Sequence, residues 1–577
     1  MSCGVQEEVI FKSNILTTLV AASLVLVPVS SSQGSTGIDE QFSPSAPPTS
    51  GPGWTGIYAS NSTMHNQSYL LGASISDPNA GDRLAGDRQI CSSVNDAICS
   101  ASKSIEFSAD LPSCDSSNPN NCVADLTSTK ADGSVVHGAF QGFFSSSKQP
   151  IFVGDATKGV PTAYYPSIWT FPGVTHSGGD KFLLIPTISY PSTSGMNISA
   201  SDVLNVALYP ISIASTTTEV GTTKTVLNGD GAHSIQYAFN QSDNCPLYEI
   251  THQCAVRWPF PSDLSFGITI KTTASVDGWL HGRVSKSSVS ITKQGNVTTI
   301  NISGSPSTVP TLYFWKKWTE LSPKLQKYLL AGANSGNWYF GDPSQLWPDH
   351  SKPVPWEKAS ILRGMGMFNQ GLFDEYVMWL NEQSANSVAD VSTWDFGTAN
   401  GGGEGINNNK CLSQAQGVDG ITGLTTTNAN MYVSAPPSFN PKTMTLDYQV
   451  ASPHLDKSGN PEVGNYDLLI SDKVVRCIYG FSSAPVSASV SVVNSDGTTQ
   501  IATTSQGESN GFLHLEVHGF HYSSPVIKVK VTQVSSATAA SQKTISCINV
   551  QNHALKTFPA TPSGCPNHYK PAPAKKK

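Results

Sequence analysis

Three alternating residues of the segment FLHLEVHGF, namely His514, Glu516 and His518, could bind a metal ion. Side chains two residues apart on a β-strand lie on the same face, so these three would share one face. The leucines and the valine between them would occupy the other face. Two imidazoles and a carboxylate are suitable ligands for a divalent metal. The alternation also fits an ordinary strand with a solvated polar face, and because that simpler interpretation is favoured, the sequence assigns no metal ligand.

Two other patterns are associated with hydrolases. Residues 507–511 spell G-x-S-x-G, but a nucleophile elbow connects a strand to a helix. The residues that follow alternate as a strand, so Ser509 is expected in a hairpin turn. Asp374 and Glu375 lie among aromatic residues, but no spacing selects two carboxylates that face each other, as a glycosidase needs. We predict no catalytic residue and no cofactor, and a secreted glycan-directed hydrolase is the alternative function.

Tryptophan is concentrated in one part of the chain, with seven of the eleven between Trp315 and Trp394. Exposed aromatic faces stack on sugar rings and on hydrophobic partner surfaces. The residues that could stack on a ligand in this way are Trp315, Trp318, Trp338, Tyr339, Trp347 and Trp356. Aromatic packing between helices and a sheet is the competing interpretation, and it is the favoured one.

The cysteines predict disulfides. Ten of the eleven follow an N-terminal apolar stretch, and in chain order they form five neighbouring pairs. The pairs are Cys91/Cys99, Cys114/Cys122, Cys245/Cys254, Cys411/Cys477 and Cys547/Cys565. Paired cysteines in an exported protein form disulfides by default, whereas a zinc site would need closely spaced Cys or His ligands, which are missing. Four of these bonds would close short loops, and Cys411/Cys477 would tie a loop-rich segment to the first strand of a β-sandwich.

The first 32 residues are predicted to be a signal peptide. A short head ends at Lys12, an apolar run extends from Ile15 to Val29, and three serines follow as a cleavage site. Glu7 and Glu8 are unusual in such a head and favour a start codon a few residues later. A second run of about 18 apolar residues is missing, so we expect no transmembrane segment in the mature chain. The protein is therefore predicted to be secreted or associated with the cell surface.

Composition limits the class of partner. Charged residues make up 13% of the chain, about half the usual share, and the net charge is −7. Nucleic acid is excluded as the main partner, because it would need a concentrated basic face. Hydrophobic residues at 38% suffice for a folded core. A cell-wall polymer, a glycan or another surface protein is the expected kind of partner.

The fold class is predicted to be mainly β with a helical segment, in several domains. The expected order is a signal peptide at 1–32, a Pro/Ser/Gly linker at 33–52, a β-rich domain at 53–310, a helical and Trp-rich segment at 311–395, a loop-rich segment with short strands at 396–472, an Ig-like β-sandwich at 473–534, and a spacer with a two-cysteine basic tail at 535–577. The linker is expected to be mobile because of its composition.

Individual elements follow from periodicity and turn residues. The clearest strands are Leu264–Thr272 and the hairpin of Val289–Lys293 with Val297–Ser303. Helices are predicted at Lys324–Ala333 and Pro355–Ser384. The strands of the sandwich are predicted at Val474–Tyr479, Val486–Val493, Gln500–Ser505, Phe512–His518 and Val526–Val534.

The C-terminal part of the chain resembles a known group of proteins. The motifs ISC, GCP and Tyr569-Lys570 before terminal lysines are similar to a tail on many exported actinobacterial proteins of unknown function. The stretch Tyr466–Gln533 resembles the module that precedes that tail, and DGWLHGRV at Asp277–Val284 resembles a further shared element. The resemblance implies an exported, β-rich, envelope-associated protein with a repeated C-terminal targeting or display segment, and it implies no activity or site residue. From the whole sequence we expect a binding, adhesion or surface-structural protein of the cell envelope.

Overall fold

The structure is a computed structural model, and it is mainly β, as predicted from the sequence. It describes residues 38–571 except 50, 60–66, 76–84, 103, 146, 191–202, 230, 232, 237–239, 243–244, 277, 332–336, 341–351, 353, 366–369, 383–385, 400–409, 416–419, 483–485, 495–496, 501–502, 523–525, 534–543, 552–554 and 560–568. The predicted signal peptide lies outside the described residues. No helix in the described ranges is long and apolar enough to be a membrane span.

The strands before the longest one are β1 (Trp54–Ala59), β2 (Tyr69–Ile75), β3 (Ala85–Ile90), β4 (Ser104–Asp110), β5 (Cys122–Lys130), β6 (Val135–His137), β7 (Ala139–Phe143), β8 (Ser167–Thr170), β9 (Lys181–Tyr190), β10 (Val203–Ser215), β11 (Lys224–Leu227), β12 (His233–Gln236), β13 (Tyr248–Ile250), β14 (Gln253–Arg257), β15 (Leu264–Thr272), β16 (Gly278–Gly282) and β17 (Val284–Gln294). The longest strand and those after it are β18 (Val297–Lys317), β19 (Asn337–Phe340), β20 (Ser360–Met365), β21 (Ala389–Thr398), β22 (Ile421–Thr427), β23 (Met431–Tyr432), β24 (Ser438–Asn440), β25 (Thr445–Ala451), β26 (Val463–Ser471), β27 (Val486–Val493), β28 (Thr499–Gln500), β29 (Thr503–Ser509), β30 (Phe512–His521), β31 (Val526–Gln533), β32 (Thr544–Asn549), β33 (Leu555–Pro559) and β34 (Tyr569–Pro571).

The described α-helices are α1 (Ala97–Ala101), α2 (Pro323–Leu330), α3 (Gln370–Leu380), α4 (Lys410–Ala415) and α5 (Asp472–Tyr479), and short 3₁₀ turns lie at Asp39–Gln41, Ala156–Lys158 and Trp318–Glu320.

The N-terminal half is a double layer of sheets around one hydrophobic core. One ladder runs β6–β5–β15–β18–β17, and the other runs β3–β2–β4–β9–β10–β21. Alternate residues of both ladders face inward, for example Ile268 and Leu126 from the first and Leu184 and Val206 from the second. The predicted hairpin between β17 and β18 is confirmed, and it turns through Gly295 at a φ of +62°.

Strand β18 connects three sheet regions because it is 21 residues long. Its first half pairs with β15 and β17, its middle with β21, and its last residues with β1. Next to β1, the chain adds β20 in parallel and then β19. Helices α2 and α3 contribute to the core on this part of the sheet. The predicted first helix corresponds to α2, but the prediction for Pro355–Ser384 is wrong in its first half, where Ser360–Met365 is strand β20.

Residues 38–49 are held against the folded chain, so the expectation of a mobile linker does not hold for them. Gln41 Nε2 donates to the carbonyl of Arg257 at 3.1 Å. The carbonyl of Ser45 accepts from the Tyr313 hydroxyl at 2.8 Å. Phe42 of this strap packs on the Tyr313 ring with centroids 5.5 Å apart, so the strap's contacts with Arg257 and Tyr313 lie hundreds of residues away in sequence.

The C-terminal half is a β-sandwich that recruits more of the chain than its predicted strands. One sheet runs β22–β26–β30–β29, and the other runs β23–β25–β31–β27–β28. Inward residues such as Leu515, Tyr466 and Ile527 form its core. The sandwich joins the N-terminal half through β22, which pairs in parallel with β16.

The predicted strand at Val474–Tyr479 is wrong, because this segment belongs to helix α5. Val474, Val475 and Tyr479 face the sandwich core at helical spacing, and Gly480 ends the helix at a φ of +67°. A glycine there is typical of a helix C-terminus, since it adopts a left-handed conformation without a steric penalty.

Four of the five predicted disulfides are present: Cys91–Cys99, Cys114–Cys122, Cys245–Cys254 and Cys411–Cys477. The last one connects helices α4 and α5, so it does not tie a loop to a strand as expected. The fifth pair includes Cys565, which lies outside the described residues. Intact disulfides are typical of oxidising compartments.

Candidate metal centre

Strands β26 and β30 place a polar cluster on the face of the sandwich sheet that is opposite its core. His514, Glu516 and His518 alternate with Leu513, Leu515 and Val517, whose side chains are buried in the sandwich core.

The antiparallel register sets Asp467 of β26 directly opposite Glu516 of β30. Directly opposed residues lie on one face of a sheet, so the Asp467 carboxylate joins the three β30 side chains. The polar cluster therefore consists of Asp467, His514, Glu516 and His518.

The potential ligand atoms of the polar cluster converge. His514 Nε2 lies 3.3 Å from Glu516 Oε1, and His518 Nε2 lies 3.6 Å from Glu516 Oε2. His518 Nε2 is also 3.8 Å from Asp467 Oδ1. One ligand atom each from Asp467, His514 and Glu516 lies within 4.8 Å of the other two. Ligands about 2.0–2.2 Å from a tetrahedral zinc ion are roughly 3.3–3.6 Å apart, so the observed spacing needs only small adjustments.

Several of these atoms are buried without a hydrogen bond. The described residues supply no hydrogen-bond partner to three of these atoms, which are Asp467 Oδ1, His514 Nε2 and His518 Nε2. Each of the three nevertheless lies within 3.8 Å of an ionisable atom of the cluster that can carry the opposite charge. Buried polar atoms in native proteins are nearly always hydrogen-bonded, and exceptions often mark an ion or a functional site. Three such atoms in one cluster are therefore a specific indication of a ligand.

A bulge in β17 orients Asp467. Lys286 and Ser287 together lie opposite the single residue Gly304 of β18, and Lys286 has a φ of +52°. Glycine suits position 304 because a Cβ there would lie only 3.0 Å from Val284 Cβ, which is too close for an ordinary contact. The bulge carries Ser287 to Asp467 Oδ2, to which its N–H donates at 2.9 Å and its Oγ at 3.2 Å. Ser287 thus binds Asp467 Oδ2, and Asp467 Oδ1 faces His518.

Electrostatics make the polar cluster receptive to a cation. Burial raises the pKa of Asp467, and the neighbouring Glu516 carboxylate raises it further, whereas the Ser287 amide and the two imidazoles act in the opposite direction. A divalent ion would compensate the two carboxylates and allow both to remain ionised.

The polar cluster is reachable from solvent on one side. The Asp467 side chain is 1% exposed, while those of Glu516, His514 and His518 are 20%, 24% and 32% exposed. The strand neighbour of His514 on β29 is Gly507, and an added Cβ at that glycine would meet no atom within 4 Å. Asp467 therefore lies at the base of the polar cluster, and Gly507 adds no side chain beside His514.

The donor set suits a transition metal. Imidazole and carboxylate together are typical ligands of zinc, and also accommodate copper and nickel. Calcium prefers six to eight oxygen ligands, which two carboxylates do not supply. Asp467, Glu516 and either histidine would complete a three-ligand set, with the other histidine or a water as the fourth ligand.

Another grouping of potential ligands is structural. Cys91 and Cys99 lie near Asp96, but the two sulfurs are bonded to each other. The Asp96 carboxylate accepts from the N–H groups of Ile98 and Cys99 and caps helix α1. These residues therefore do not offer a metal site.

The structure separates the predicted ligand-stacking aromatics. Trp318 and Trp356 are buried and stack on each other with ring centroids 5.4 Å apart, so their faces are occupied. Trp315 is half-buried and donates from Nε1 to the Tyr313 hydroxyl at 2.8 Å. Trp338 and Tyr339 belong to strand β19, and Trp347 lies outside the described residues.

The hydrolase patterns do not assemble into a catalytic site. Glu375 is fully buried and bound by Arg363, whereas Asp374 is exposed on the surface of α3. Ser509 ends β29 and is followed by Asn510 and Gly511, both at positive φ, which confirms the hairpin turn.

Comparison with protein-family models and with curated proteins gives no match to this chain. Its function therefore has to be argued from its own geometry. The sequence pattern contained three members of the polar cluster, but missed Asp467 and Ser287. Asp467 interrupts the apolar strand YDLLIS. A single acidic residue in an apolar strand is the sequence feature that could have identified it as a member of the site.

Proposed function

We propose that the protein is an exported, cell-envelope-associated binding protein and that one of its ligands is a divalent transition metal, zinc foremost. Asp467, His514 and Glu516 bind the ion, and His518 lies beside them as an alternative or fourth ligand. The observation that carries this proposal is the convergence of buried ligand atoms without hydrogen bonds on one face of the sheet.

The envelope location rests on separate observations. The chain has four disulfides, a predicted signal peptide and a C-terminal resemblance to exported proteins. We further propose that a cell-wall polymer, a glycan or another surface protein is its macromolecular partner.

Cell fractionation tests the location. The full chain is expected in the envelope fraction, and deletion of residues 543–577 is expected to release it into the medium. A truncated protein that stays with the cells would contradict a targeting role for the tail, and a full chain found in the cytoplasm would contradict export.

Calorimetry tests the metal site directly. The full-length protein, stripped with a chelator and titrated with zinc chloride, is expected to bind one ion per chain. His514→Ala and Glu516→Gln should each weaken binding about a hundredfold, since a ligand is lost and changes in ligand support alone cost 10–100-fold. Calcium chloride is expected to give no binding heat.

A matched control is available on the same strand. His521 lies at the end of β30, and its Nδ1 lies 3.2 Å from the carbonyl of Glu462, away from the polar cluster. His521→Ala should bind zinc like the unsubstituted protein. Equal loss in the His514 and His521 variants, or no zinc binding by the folded protein, would contradict the proposal.

A further inference from the structure

A cleft of about 310 Å³ lies in the N-terminal half, remote in sequence from the polar cluster. It is formed where the start of β2 and the end of β3 meet the loop at 147–152, Tyr165, and the residues just before β11. Ligand pockets commonly have volumes of 300–1,000 Å³, so this one suits a small ligand.

The walls of the cleft are fixed by backbone hydrogen bonds and a disulfide. Cys91, which is bonded to Cys99, donates its N–H to the carbonyl of Leu70 at 2.9 Å. Ile151 donates to the carbonyl of Ala163 at 2.8 Å. A site with walls held in this way needs little rearrangement on binding, which lowers the entropy loss.

The lining includes hydrogen-bonding groups but no side chain that is charged at neutral pH among the described residues. Hydrogen-bonding groups come from the Gln67 and Gln149 amides and from hydroxyls such as that of Thr222. Gln67 Oε1 accepts from the Thr223 N–H at 3.2 Å, which orients its amide. The ligand is therefore expected to be uncharged, since a charged one would lose hydration without gaining a counter-charge.

The same cleft also has aromatic and aliphatic surface. Tyr69 and Tyr165 line it together with the partly exposed side chains of Ile90 and Ile151. A sugar ring has an apolar face that packs on aromatic rings and a rim of hydroxyls that bond to amides. A purely apolar ligand would leave the amides unpaired, so the mixed lining favours a saccharide.

We propose that this cleft binds a neutral saccharide of one or two rings. This deepens the glycan partner of the proposed function by assigning it a site, and it is independent of the metal centre. The Tyr165 ring supplies the stacking surface, and the Gln67 and Gln149 amides bond to ligand hydroxyls.

Saturation-transfer NMR and calorimetry on the full-length protein test the proposal. The probes are glucose, galactose, mannose, N-acetylglucosamine and their disaccharides, with glucuronic acid and glucosamine as charged probes. At least one neutral probe is expected to bind, and binding should exceed that of the charged probes. No binding by any neutral probe, or preference for a charged one, would overturn it.

Variants locate the bound sugar. Tyr165→Ala should weaken binding about tenfold, because the stacking contact between the aromatic ring and the sugar is lost. Thr222→Trp adds bulk at an exposed position of the rim, where folding is not at risk, and should abolish binding. If both variants bind like the unsubstituted protein, the sugar does not occupy this cleft and the proposal fails.

Two controls separate this proposal from the others. Tyr328→Ala removes a half-buried tyrosine on α2, outside the cleft, and should leave sugar binding unchanged. His514→Ala should weaken zinc binding about a hundredfold and leave sugar binding intact, so failure at one site is distinguishable from failure at the other. Loss of sugar binding in the Tyr328 variant would contradict the assignment to the cleft.

Discussion

Glu375 and Asp467 are both carboxylates removed from solvent, and their surroundings differ. Arg363 binds both oxygens of Glu375, from Nε to Oε1 at 2.8 Å and from Nη2 to Oε2 at 2.7 Å. Trp379 Nε1 adds a third contact at 3.3 Å. Asp467 has one oxygen bound by Ser287 and the other turned toward two histidines without a hydrogen bond.

The difference separates a structural ion pair from the proposed metal site. The Arg363–Glu375 pair is complete within the protein, and it fastens helix α3 to strand β20. The polar cluster leaves Asp467 Oδ1 and two imidazole nitrogens without hydrogen bonds among the described residues, and the proposed cation would fill that gap. Burial of an acid therefore does not by itself indicate function, and the proposal for Asp467 rests on several unbonded ligand atoms that lie together.

The largest expected effect comes from breaking the complete pair. Arg363→Met leaves the Glu375 charge buried without its partner, and should lower the free energy of unfolding by about 3–5 kcal/mol. Urea denaturation followed by tryptophan fluorescence measures this loss. The double variant Arg363→Met, Glu375→Leu should recover most of it, and a single variant within 1 kcal/mol of the unsubstituted protein would contradict the structural role.

The corresponding change in the polar cluster should separate binding from stability. Asp467→Asn removes an ionised ligand, so zinc affinity should fall about a hundredfold. The metal-free variant should melt at a higher temperature at pH 8, because no buried charge remains and the amide oxygen can still accept from Ser287. Calorimetry and thermal unfolding measure the two effects, and a variant that melts lower and binds zinc normally would contradict the site.

A smaller effect is expected from the residue that orients the carboxylate. Ser287→Ala removes one of two hydrogen bonds to Asp467 Oδ2, and should weaken zinc binding about tenfold. Ser288→Ala, at the exposed neighbouring position, is the matched control and should bind normally. Equal affinities of the two variants would show that the bulge does not position Asp467.

The smallest effect is on the pH dependence of stability. Because the pKa of Asp467 is raised in the folded protein, the folded state keeps this proton to higher pH than the unfolded state does. Metal-free protein should therefore lose stability as the pH rises from about 4, the ordinary Asp pKa, through the raised value. Asp467→Asn should melt with a shallower pH slope in this window, and equal slopes would contradict a raised pKa.

Local patterns predicted much of the fold. The strand Leu264–Thr272, the turn at Gly295 and four disulfide pairs follow from alternation, turn residues and cysteine spacing. Helix α5 was missed because its two valines favour a strand locally, while its burial against the sandwich favours a helix.

The sequence predicted only part of the candidate site, namely the three residues of β30. The alternation in β30 is local, but Asp467 and Ser287 arrive through strand register and a bulge. Asp467 and Glu516 are 49 positions apart in the sequence, and Ser287 and Asp467 are 180 positions apart. Local periodicity does not predict pairings over such distances. The buried stack of Trp318 on Trp356 depends likewise on tertiary packing.

The strap at residues 38–49 has a consequence for the order of folding. Its partners are distant, since Ser45 bonds to Tyr313 and Asp39 to Lys457, 418 positions later. A chain is synthesised from its N-terminus, so the bonds of Asp39 and Ser45 cannot form until these later segments exist. The segment nearest the predicted signal peptide is therefore expected to complete its contacts late in folding.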